Sequence, residues 1–273
     1  MEAKTWIPGE ISLDKPNPAR IYDYWLGGHH NFEVDRMMGD KVAQVYPDIW
    51  VAAQANRAFL RRAVHFFVAQ GVDQFLDIGS GLPTVGNVHE VAQAANPAAR
   101  VVYVDVDPVA VAHSKAMLKD NPNAIAIQAD VRQPDRILDH AEVNRLLDFG
   151  RPVAVLVLSV FPAVPDDEET YSIMRTLRDA LATGSYIAIT HATLEGTPRE
   201  ALEQIQKLYG RSVTPNKMRS RAEFLPCFDG LELVEPGVVY SPLWRPEGPD
   251  DVLLDCPERC TAFAGVARKP LAD

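Results

Sequence analysis

The fold is decided by residues 74–84, which read QFLDIGSGLPT. Gln74–Ile78 is an apolar run of strand length, and a glycine-containing turn separates it from a helical pattern that begins at Thr84. Strands and helices alternate from here on, which predicts an α/β fold with a mostly parallel sheet covered by helices on both faces. In such sheets ligands bind beyond the carboxyl ends of the strands. The candidate site is therefore expected in the loops that follow the strands.

The other elements are predicted from apolar periodicity and capping residues. A helix from Asn56 ends near Gly71, with Arg61, Arg62 and His65 on its polar face. Further helices are predicted over Thr84–Ala95, after the N-cap Asp107, over Asp167–Ala182 and over Thr197–Tyr209. The remaining strands are predicted over Val101–Val104, Ile125–Gln128, Val153–Leu158, Tyr186–Thr190, Leu231–Glu235 and Thr261–Val266.

The turn after the first strand contains Asp77, Gly79, Ser80 and Gly81. Two glycines let the backbone approach a ligand closely, and the following helix presents a positive N-terminus. A dinucleotide-binding loop has a third glycine where this chain has Thr84. A carboxylate at Asp77 would also repel a pyrophosphate. The pattern favours a positively charged ligand, and S-adenosylmethionine carries a sulfonium and an ammonium but no phosphate.

Two further carboxylates follow the next strands. Asp105 closes the second strand, where a carboxylate can accept hydrogen bonds from both hydroxyls of a ribose. Asp130 follows the third strand, where an acceptor can meet the exocyclic amine of adenine. Each of them alone is equally well explained as a solvated loop residue or a cap. Their occurrence on successive strand ends favours a shared ligand.

Over roughly residues 56–268 the chain resembles the class I S-adenosylmethionine-dependent methyltransferases. The resemblance implies a Rossmann-like, seven-stranded, mostly parallel sheet with an antiparallel edge. It implies that the Gly79–Gly81 loop holds the amino-acid part of the cofactor and that Ser159 lies near the reactive methyl group. The implied contacts with ribose and adenine are Asp105, Val106, Asp130 and Val131. The chain departs from many such enzymes after the fourth strand, where Phe161 and Pro162 stand in place of a histidine.

The segment Pro18–Arg36, PARIYDYWLGGHHNFEVDR, is more distinctive. With Asn56-Arg57 and residues 229–237 (DGLELVEPG), it is similar to one uncharacterised bacterial family classed as S-adenosyl methyltransferases. We predict that residues 1–55 form an arm and a helical lid on a cofactor-binding domain of residues 56–273. Tyr22, Asn31 and Arg57 are candidate cofactor contacts, although plain packing and an ordinary ion pair remain open for them.

The predicted function is S-adenosylmethionine-dependent transfer of a methyl group to an oxygen or nitrogen nucleophile of a small molecule. Oxygen and amine nucleophiles often need a general base, for which His29, His30 and His191 are the candidates. Two alternatives stay open at this point: a non-catalytic S-adenosylmethionine-binding regulatory protein and a nicotinamide-dependent oxidoreductase. Thr84 and Asp77 argue against the second of these.

Composition limits the partners. The 273 residues include 27 Lys and Arg against 37 Asp and Glu, a net charge of −10, so the chain lacks the basic surface that nucleic-acid binding requires. No apolar run approaches the roughly 18 residues of a membrane span, and the first residues do not read as a signal peptide. We therefore expect a cytoplasmic protein without nucleic-acid or membrane partners. The three cysteines form no recognisable metal-ligand set, so no metal is predicted, and the sequence does not predict an oligomeric state.

Overall fold

The computed structural model describes residues 15–83, 86–196, 217–248 and 251–270. In these ranges the helices are α1 (Pro18–Trp25), α2 (Glu33–Val45), α3 (Ile49–Ala69), α4 (Val88–Ala95), α5 (Pro108–Met117), α6 (Pro134–Leu138), α7 (Ala141–Leu146), α8 (Asp167–Ala180) and α9 (Arg221–Phe224). The strands are β1 (Gln74–Ile78), β2 (Arg100–Asp105), β3 (Ala124–Gln128), β4 (Ala154–Leu158), β5 (Tyr186–Ala192), β6 (Glu232–Leu233), β7 (Val239–Tyr240) and β8 (Ala262–Arg268).

The strands form one sheet in the order β3-β2-β1-β4-β5-β8-β6. The pairs among β1 to β5 are parallel, and β8 runs antiparallel between β5 and β6. This confirms the predicted Rossmann-like α/β fold. The expected count of seven strands becomes eight in the described part of the chain, because two short segments share β8. Its residues Ala267 and Arg268 pair with β6, whereas Phe263 and Ala264 pair with β7.

The core lies on both faces of the sheet. Along β1, Phe75 packs with Phe59 and Phe67 of α3, whereas Leu76 and Ile78 belong to the apolar cluster on the opposite face. Successive side chains of a strand point to opposite faces, so Asp77 lies on the same face as Phe75, towards α3. The strand alternation thereby places a carboxylate against the helix that carries Arg57.

Helix α3 differs from its prediction. It begins at Ile49, seven residues before Asn56, so the expected boundary between residues 55 and 56 falls inside one continuous helix. Arg62, expected on a polar face, is buried: it donates to the carbonyl oxygens of Ser241 and Trp244 at 2.8 and 2.9 Å. The C-terminal segment covers this side of the helix, which a helical periodicity alone does not reveal.

Helix termini follow the predicted capping residues where the structure describes them. Asp107 accepts a hydrogen bond from the backbone N–H of Val109 at 2.8 Å, and Pro108 is the first residue of α5. Helix α4 begins at Val88, behind the capping residue Asn87. The prediction that this helix begins at Thr84 is wrong for residues 86 and 87, which precede it. Thr84 itself and the predicted helix Thr197–Tyr209 lie outside the described residues. Among the helices described, none is long and apolar enough to cross a bilayer.

Candidate functional site

The crevice expected from the strand order lies between β1 and β4, where the chain stops extending one side of the sheet and begins the other. Its floor is the Gly79–Gly81 loop. Gly79 has φ +71°, and a Cβ there would overlap the side chain of Val160, so only glycine fits between the β1 and β4 loops. At Gly81, also at positive φ, a Cβ would meet no atom within 4 Å. The loop therefore packs tightly against the β4 loop at Gly79 and has open space beside Gly81.

Asp77 is a carboxylate on the α3 side of β1 that lies almost entirely out of contact with solvent. Only 5% of the residue is exposed, and none of the hydrogen bonds among the described residues involves its carboxylate. Burial is the main cause that raises the pKa of Asp77, Arg57 opposes it and Asp105 adds to it, and the net pKa is about 7. A buried carboxylate in this state favours a cationic ligand that supplies the missing partner.

Arg57 lies on α3 beside this carboxylate. Its guanidinium donates to the side-chain oxygen of Asn87 at 3.3 Å. It also lines an open cleft of about 700 Å³ between the N-terminal segment, α3 and the loop around Gly86. The structure thus places one positive and one negative side chain at the β1 end of the crevice, an arrangement that suits a zwitterion.

Asp105 links β2 to the glycine loop. One carboxylate oxygen accepts from the backbone N–H of Gly81 at 2.7 Å and the other from that of Asp107 at 2.8 Å. Burial raises the pKa of Asp105, and the two N–H donors oppose that rise. Each carboxylate oxygen retains lone pairs, so hydroxyl donors from a ligand can share them.

Asp130 and Val106 border a separate cavity of about 340 Å³ at the ends of β2 and β3. Val106 is 58% exposed and presents an apolar surface to the cavity, whereas Val131 is buried. Asp130 accepts from the backbone N–H of Arg132 at 3.0 Å and forms an ion pair with its side chain at 3.2 Å. An apolar wall with an acceptor at its rim suits a planar heterocycle with an exocyclic amine.

Ser159 ends β4 at the opposite side of the crevice. It is exposed, and its φ of +58° is uncommon for a residue other than glycine. Its hydroxyl lies 3.3 Å from that of Thr190 in β5. The structure therefore brings Asp77, the glycine loop, Asp105 and Ser159 to one edge of the sheet, as predicted from their positions after successive strands.

The N-terminal segment consists of α1 and α2, which pack against each other and against α3. Arg20 and Asp35 form a buried ion pair at 2.7 Å that ties α1 to α2. Asp35 also accepts from the backbone N–H groups of Asn17 and Phe32, each at 2.9 Å. Tyr22 donates its hydroxyl to the carbonyl oxygen of Ala53 at 3.1 Å. Helices α1 and α2 thus pack together on α3 as an N-terminal layer, and the turn over residues 26–30 borders the 700 Å³ cleft.

Three residues predicted in the lid have different surroundings. Asn31 donates to Asp23 and to the carbonyl oxygen of Gly28, both at 2.9 Å, and its own oxygen accepts from Arg36 at 3.0 Å. Its polar atoms thus stabilise the turn rather than face the glycine loop. His29 and His30 are exposed and line the 700 Å³ cleft, and the ring of His30 lies 4.3 Å from that of His113.

His191 has surroundings that favour a structural role over that of a base. It is fully buried, its Nδ1 lies 2.8 Å from the carbonyl oxygen of Ala192, and its Nε2 lies 2.7 Å from the Arg219 guanidinium. The first contact requires a proton on Nδ1 and the second requires a lone pair on Nε2. Burial, chiefly, lowers the pKa of His191 to about 4. Both nitrogens of the neutral ring are therefore in use.

Acidification is expected to destabilise the protein as His191 is forced to take a proton. Its folded pKa of about 4 lies below the ordinary 6.5, so its contribution to stability is complete above pH 6.5 and is lost as the pH falls through 4. Tm measured from pH 7 to pH 4 should fall less in His191→Gln, which keeps a donor and an acceptor. Exposed His29→Gln is the control. Equal acid sensitivity of His191→Gln and the unmodified protein would contradict this role.

The residues that sequence reasoning missed act over long separations. Asn56 bridges Tyr22 and Thr190, and Arg219 contacts Asp167 and His191. Asn56 marks the start of a predicted helix and belongs to the family motif, but neither feature predicts its contacts. Arg219 lies after the predicted helix Thr197–Tyr209 and has no local signal. The contact partners lie 28 to 134 residues away in the sequence. Periodicity carries no information over such distances.

These residues fit S-adenosylmethionine. The buried carboxylate of Asp77 can form an ion pair with the ammonium group, and the open space beside Gly81 lets a ligand contact the backbone. The cavity at Val106 and Asp130 lies farther along the same edge, on the β2 and β3 side. Among the residues described, no group of three or more His, Cys, Asp or Glu is arranged to bind a metal ion.

Comparison with known proteins gives a consistent result. The S-adenosyl methyltransferase family model matches residues 4–270. A crystal structure of a candidate methyltransferase from Thermobifida fusca YX is 41% identical, with TM-score 0.90, and the match covers 98% of this chain and all of that one. A DUF574 family protein from Streptomyces avermitilis MA-4680 is 37% identical, with TM-score 0.89 and coverage of 95% and 100%.

A more distant likeness extends to a Bordetella parapertussis protein at 15% identity, with TM-score 0.58 and coverage of 94% of this chain and 81% of that one. At this identity it shows a shared fold alone. None of the curated proteins compared with the chain matches it. The family match confirms the resemblance drawn from the glycine loop and the N-terminal motif.

Proposed function

Because the chain belongs to the S-adenosyl methyltransferase family and is an S-adenosylmethionine-dependent methyltransferase, we propose that it methylates an oxygen or nitrogen nucleophile of a small molecule. The observation that carries the site assignment is the buried Asp77 carboxylate, which has no hydrogen-bond partner among the described residues. Neither of the two alternative functions, the regulatory binding protein and the nicotinamide-dependent oxidoreductase, gains an observation in its favour.

In this proposal the cofactor lies along the carboxyl edge of β1, β2 and β3. Asp77 pairs with its ammonium, and Arg57 with its carboxylate. Asp105 accepts from the ribose hydroxyls, and the Gly79–Gly81 loop, including Ser80, contacts the amino-acid part. Adenine occupies the 340 Å³ cavity, which Val106 and Asp130 line. Val131, also predicted as an adenine contact, is buried in the core and is not among the residues that line it.

Bound in this way, the sulfonium supplies an activated methyl group, so the protein needs little acid–base chemistry. The residues of the chain bind the cofactor, orient the methyl acceptor towards it and exclude water. The N-terminal layer is assigned the last task, since its turn over residues 26–30 lines the same cleft as Arg57. In this proposal the layer is the lid of the cofactor-binding domain, and Tyr22 attaches it to α3 through hydrogen bonds with Ala53 and Asn56.

A small-molecule acceptor agrees with the net charge of −10, which disfavours nucleic acids. No base is assigned within this proposal. His191 is engaged through both nitrogens, and His29 and His30 lie in the cleft at Arg57 rather than beside Ser159. A nucleophile that is neutral before transfer can lose its proton to solvent afterwards.

Thermal unfolding with added ligands tests the cofactor assignment. S-adenosylmethionine or S-adenosylhomocysteine at 100 times its Kd should stabilise the protein by about 2.7 kcal/mol, which is roughly 5–10 °C in Tm for a chain of this size. NAD at the same concentration serves as the control and should leave Tm unchanged. A shift with NAD alone would overturn the reading of Asp77. Methyl transfer itself is followed as S-adenosylhomocysteine formed in the presence of metabolite fractions.

A further inference from the structure

A chain of hydrogen bonds runs from the N-terminal layer to the end of β4. The Tyr22 hydroxyl lies 3.1 Å from the carbonyl oxygen of Ala53, and the Asn56 amide nitrogen lies 3.0 Å from the Tyr22 oxygen. The Asn56 amide oxygen lies 2.8 Å from the Thr190 hydroxyl, which lies 3.3 Å from the Ser159 hydroxyl. Four side chains from α1, α3, β5 and the β4 loop are joined in this way.

The direction of every bond in this chain follows from its first link. A carbonyl oxygen only accepts, so the Tyr22 proton points to Ala53 and the Tyr22 oxygen accepts from the amide nitrogen of Asn56. This fixes the orientation of the Asn56 amide, whose oxygen then accepts the Thr190 proton. The Thr190 hydroxyl donates its only proton to Asn56, so it can only accept a hydrogen bond from Ser159. The Ser159 hydroxyl therefore donates inwards, and its free lone pairs face the crevice.

Ser159 stands where an acceptor molecule must approach. It is exposed, at a positive φ that turns it out of the strand, and the next residue, Val160, packs against Gly79. If adenine, ribose and the amino-acid part of the cofactor follow β3, β2 and β1, then β4 is the next strand end along the sheet edge. The transferable methyl group and the incoming nucleophile then meet beside Ser159.

We propose that Ser159 Oγ accepts a hydrogen bond from the nucleophile of the methyl acceptor, so that the acceptor is an amine or a hydroxyl compound still carrying its N–H or O–H proton. This rests on the proposed function and narrows it. Nucleophiles without a proton, such as thiolates and carboxylates, place a lone pair against the lone pairs of Ser159. The chain of hydrogen bonds passes through the side-chain amide of Asn56, which does not relay a proton. Ser159 therefore orients the nucleophile and does not deprotonate it.

Sinefungin provides a probe that does not require the acceptor to be known. In this analogue a carbon bearing an ammonium replaces the methylated sulfur, so an N–H donor stands at the position of the methyl group. S-adenosylhomocysteine has no group there. We define the selectivity ratio as Kd of S-adenosylhomocysteine divided by Kd of sinefungin, both from calorimetry. Ser159→Ala should lower this ratio about tenfold, the effect of losing a hydrogen bond to a charged donor.

Two further variants make the test decisive. Ser159→Gly also removes the hydroxyl, but suits the positive φ, so it should fold normally and lower the ratio equally. Thr190→Val removes the acceptor that fixes the Ser159 proton and should lower the ratio several-fold. Ser172→Ala, an exposed serine on α8, is the matched control and should leave the ratio unchanged.

The outcomes separate the two proposals. If the unmodified protein binds both ligands and the ratio falls only in the Ser159 and Thr190 variants, the inference is supported. If both ligands bind and the ratio is the same in Ser159→Ala and Ser159→Gly as in the unmodified protein, the inference is overturned while the proposed cofactor site stands. If the unmodified protein binds neither ligand, the cofactor site fails, and the role of Ser159 fails with it.

Discussion

Asp77→Asn is expected to weaken S-adenosylmethionine binding by at least about 30-fold, the lower end of what losing one partner of a buried charge pair costs. The same change should raise the Tm of the ligand-free protein at pH 8. Both effects have one cause: the Asp77 carboxylate is buried without a hydrogen-bond partner among the described residues, and burial raises its pKa to about 7. Asparagine removes the charge while keeping the shape.

The sign of the stability change follows from the pKa. The folded value of about 7 lies above the ordinary 3.8, so the contribution of Asp77 to stability is complete below about pH 4 and is lost as the pH rises through 7. Asparagine does not titrate, so the variant loses nothing over this range. The ionised, buried carboxylate therefore destabilises the ligand-free protein, and a cation bound beside it offsets this effect.

Affinity should carry the same pH dependence. In the unmodified protein S-adenosylmethionine should bind up to about tenfold more tightly at pH 8 than at pH 6, because the ionised fraction of Asp77 rises over this interval. In Asp77→Asn this part of the pH dependence should vanish. Calorimetric Kd values at three pH values measure it. Asp120→Asn, at a highly exposed carboxylate, is the control for a lost negative charge. Tight binding retained in Asp77→Asn would exclude the proposed ammonium contact.

The carboxyl edge of the sheet was predictable because local sequence encodes it. A strand of the length of Gln74–Ile78, the glycines after it and the position of Asp105 are set by residues that lie next to each other in sequence. Parallel pairing brings such strand ends together whatever the rest of the chain does. The alternation of β1 also places Asp77 on the α3 side, although the sequence alone does not show that it lacks a partner.

The walls of the crevice were not predictable in this way. Thr190 and Asn56 are 134 residues apart, and their contact exists only because β5 packs beside α3. His191 was a candidate base on the strength of its place at a strand end, and only the fold reveals that Arg219 occupies its Nε2. Arg62 fits a polar helix face by periodicity, yet the C-terminal segment buries it. In each case tertiary packing overrides a local pattern.

Arg219→Met is expected to lower the free energy of unfolding by about 3–5 kcal/mol, because several hydrogen bonds from one buried, charged donor are lost together. Arg219 is fully buried, and its guanidinium donates to Asp167, to the carbonyl oxygens of Phe161 and Val164 and to the hydroxyl of Thr170, at 2.8 to 3.1 Å. Methionine fills the volume but makes none of these hydrogen bonds. It also leaves the buried Nε2 of His191 without the donor that Arg219 supplies at 2.7 Å.

This cluster joins the loop after β4 to the segment after β5, so its loss should reach the crevice as well as the core. Arg219→Lys, which keeps the charge but supplies fewer donors in a different geometry, should fall between Arg219→Met and the unmodified protein. Arg175→Met, at an exposed position on α8, is the matched control and should change stability by less than about 0.5 kcal/mol. Urea unfolding gives the free energies directly. If Arg219→Met were as stable as Arg175→Met, the hydrogen bonds of Arg219 would not hold the β4 loop, and the wall beside Ser159 would need another support.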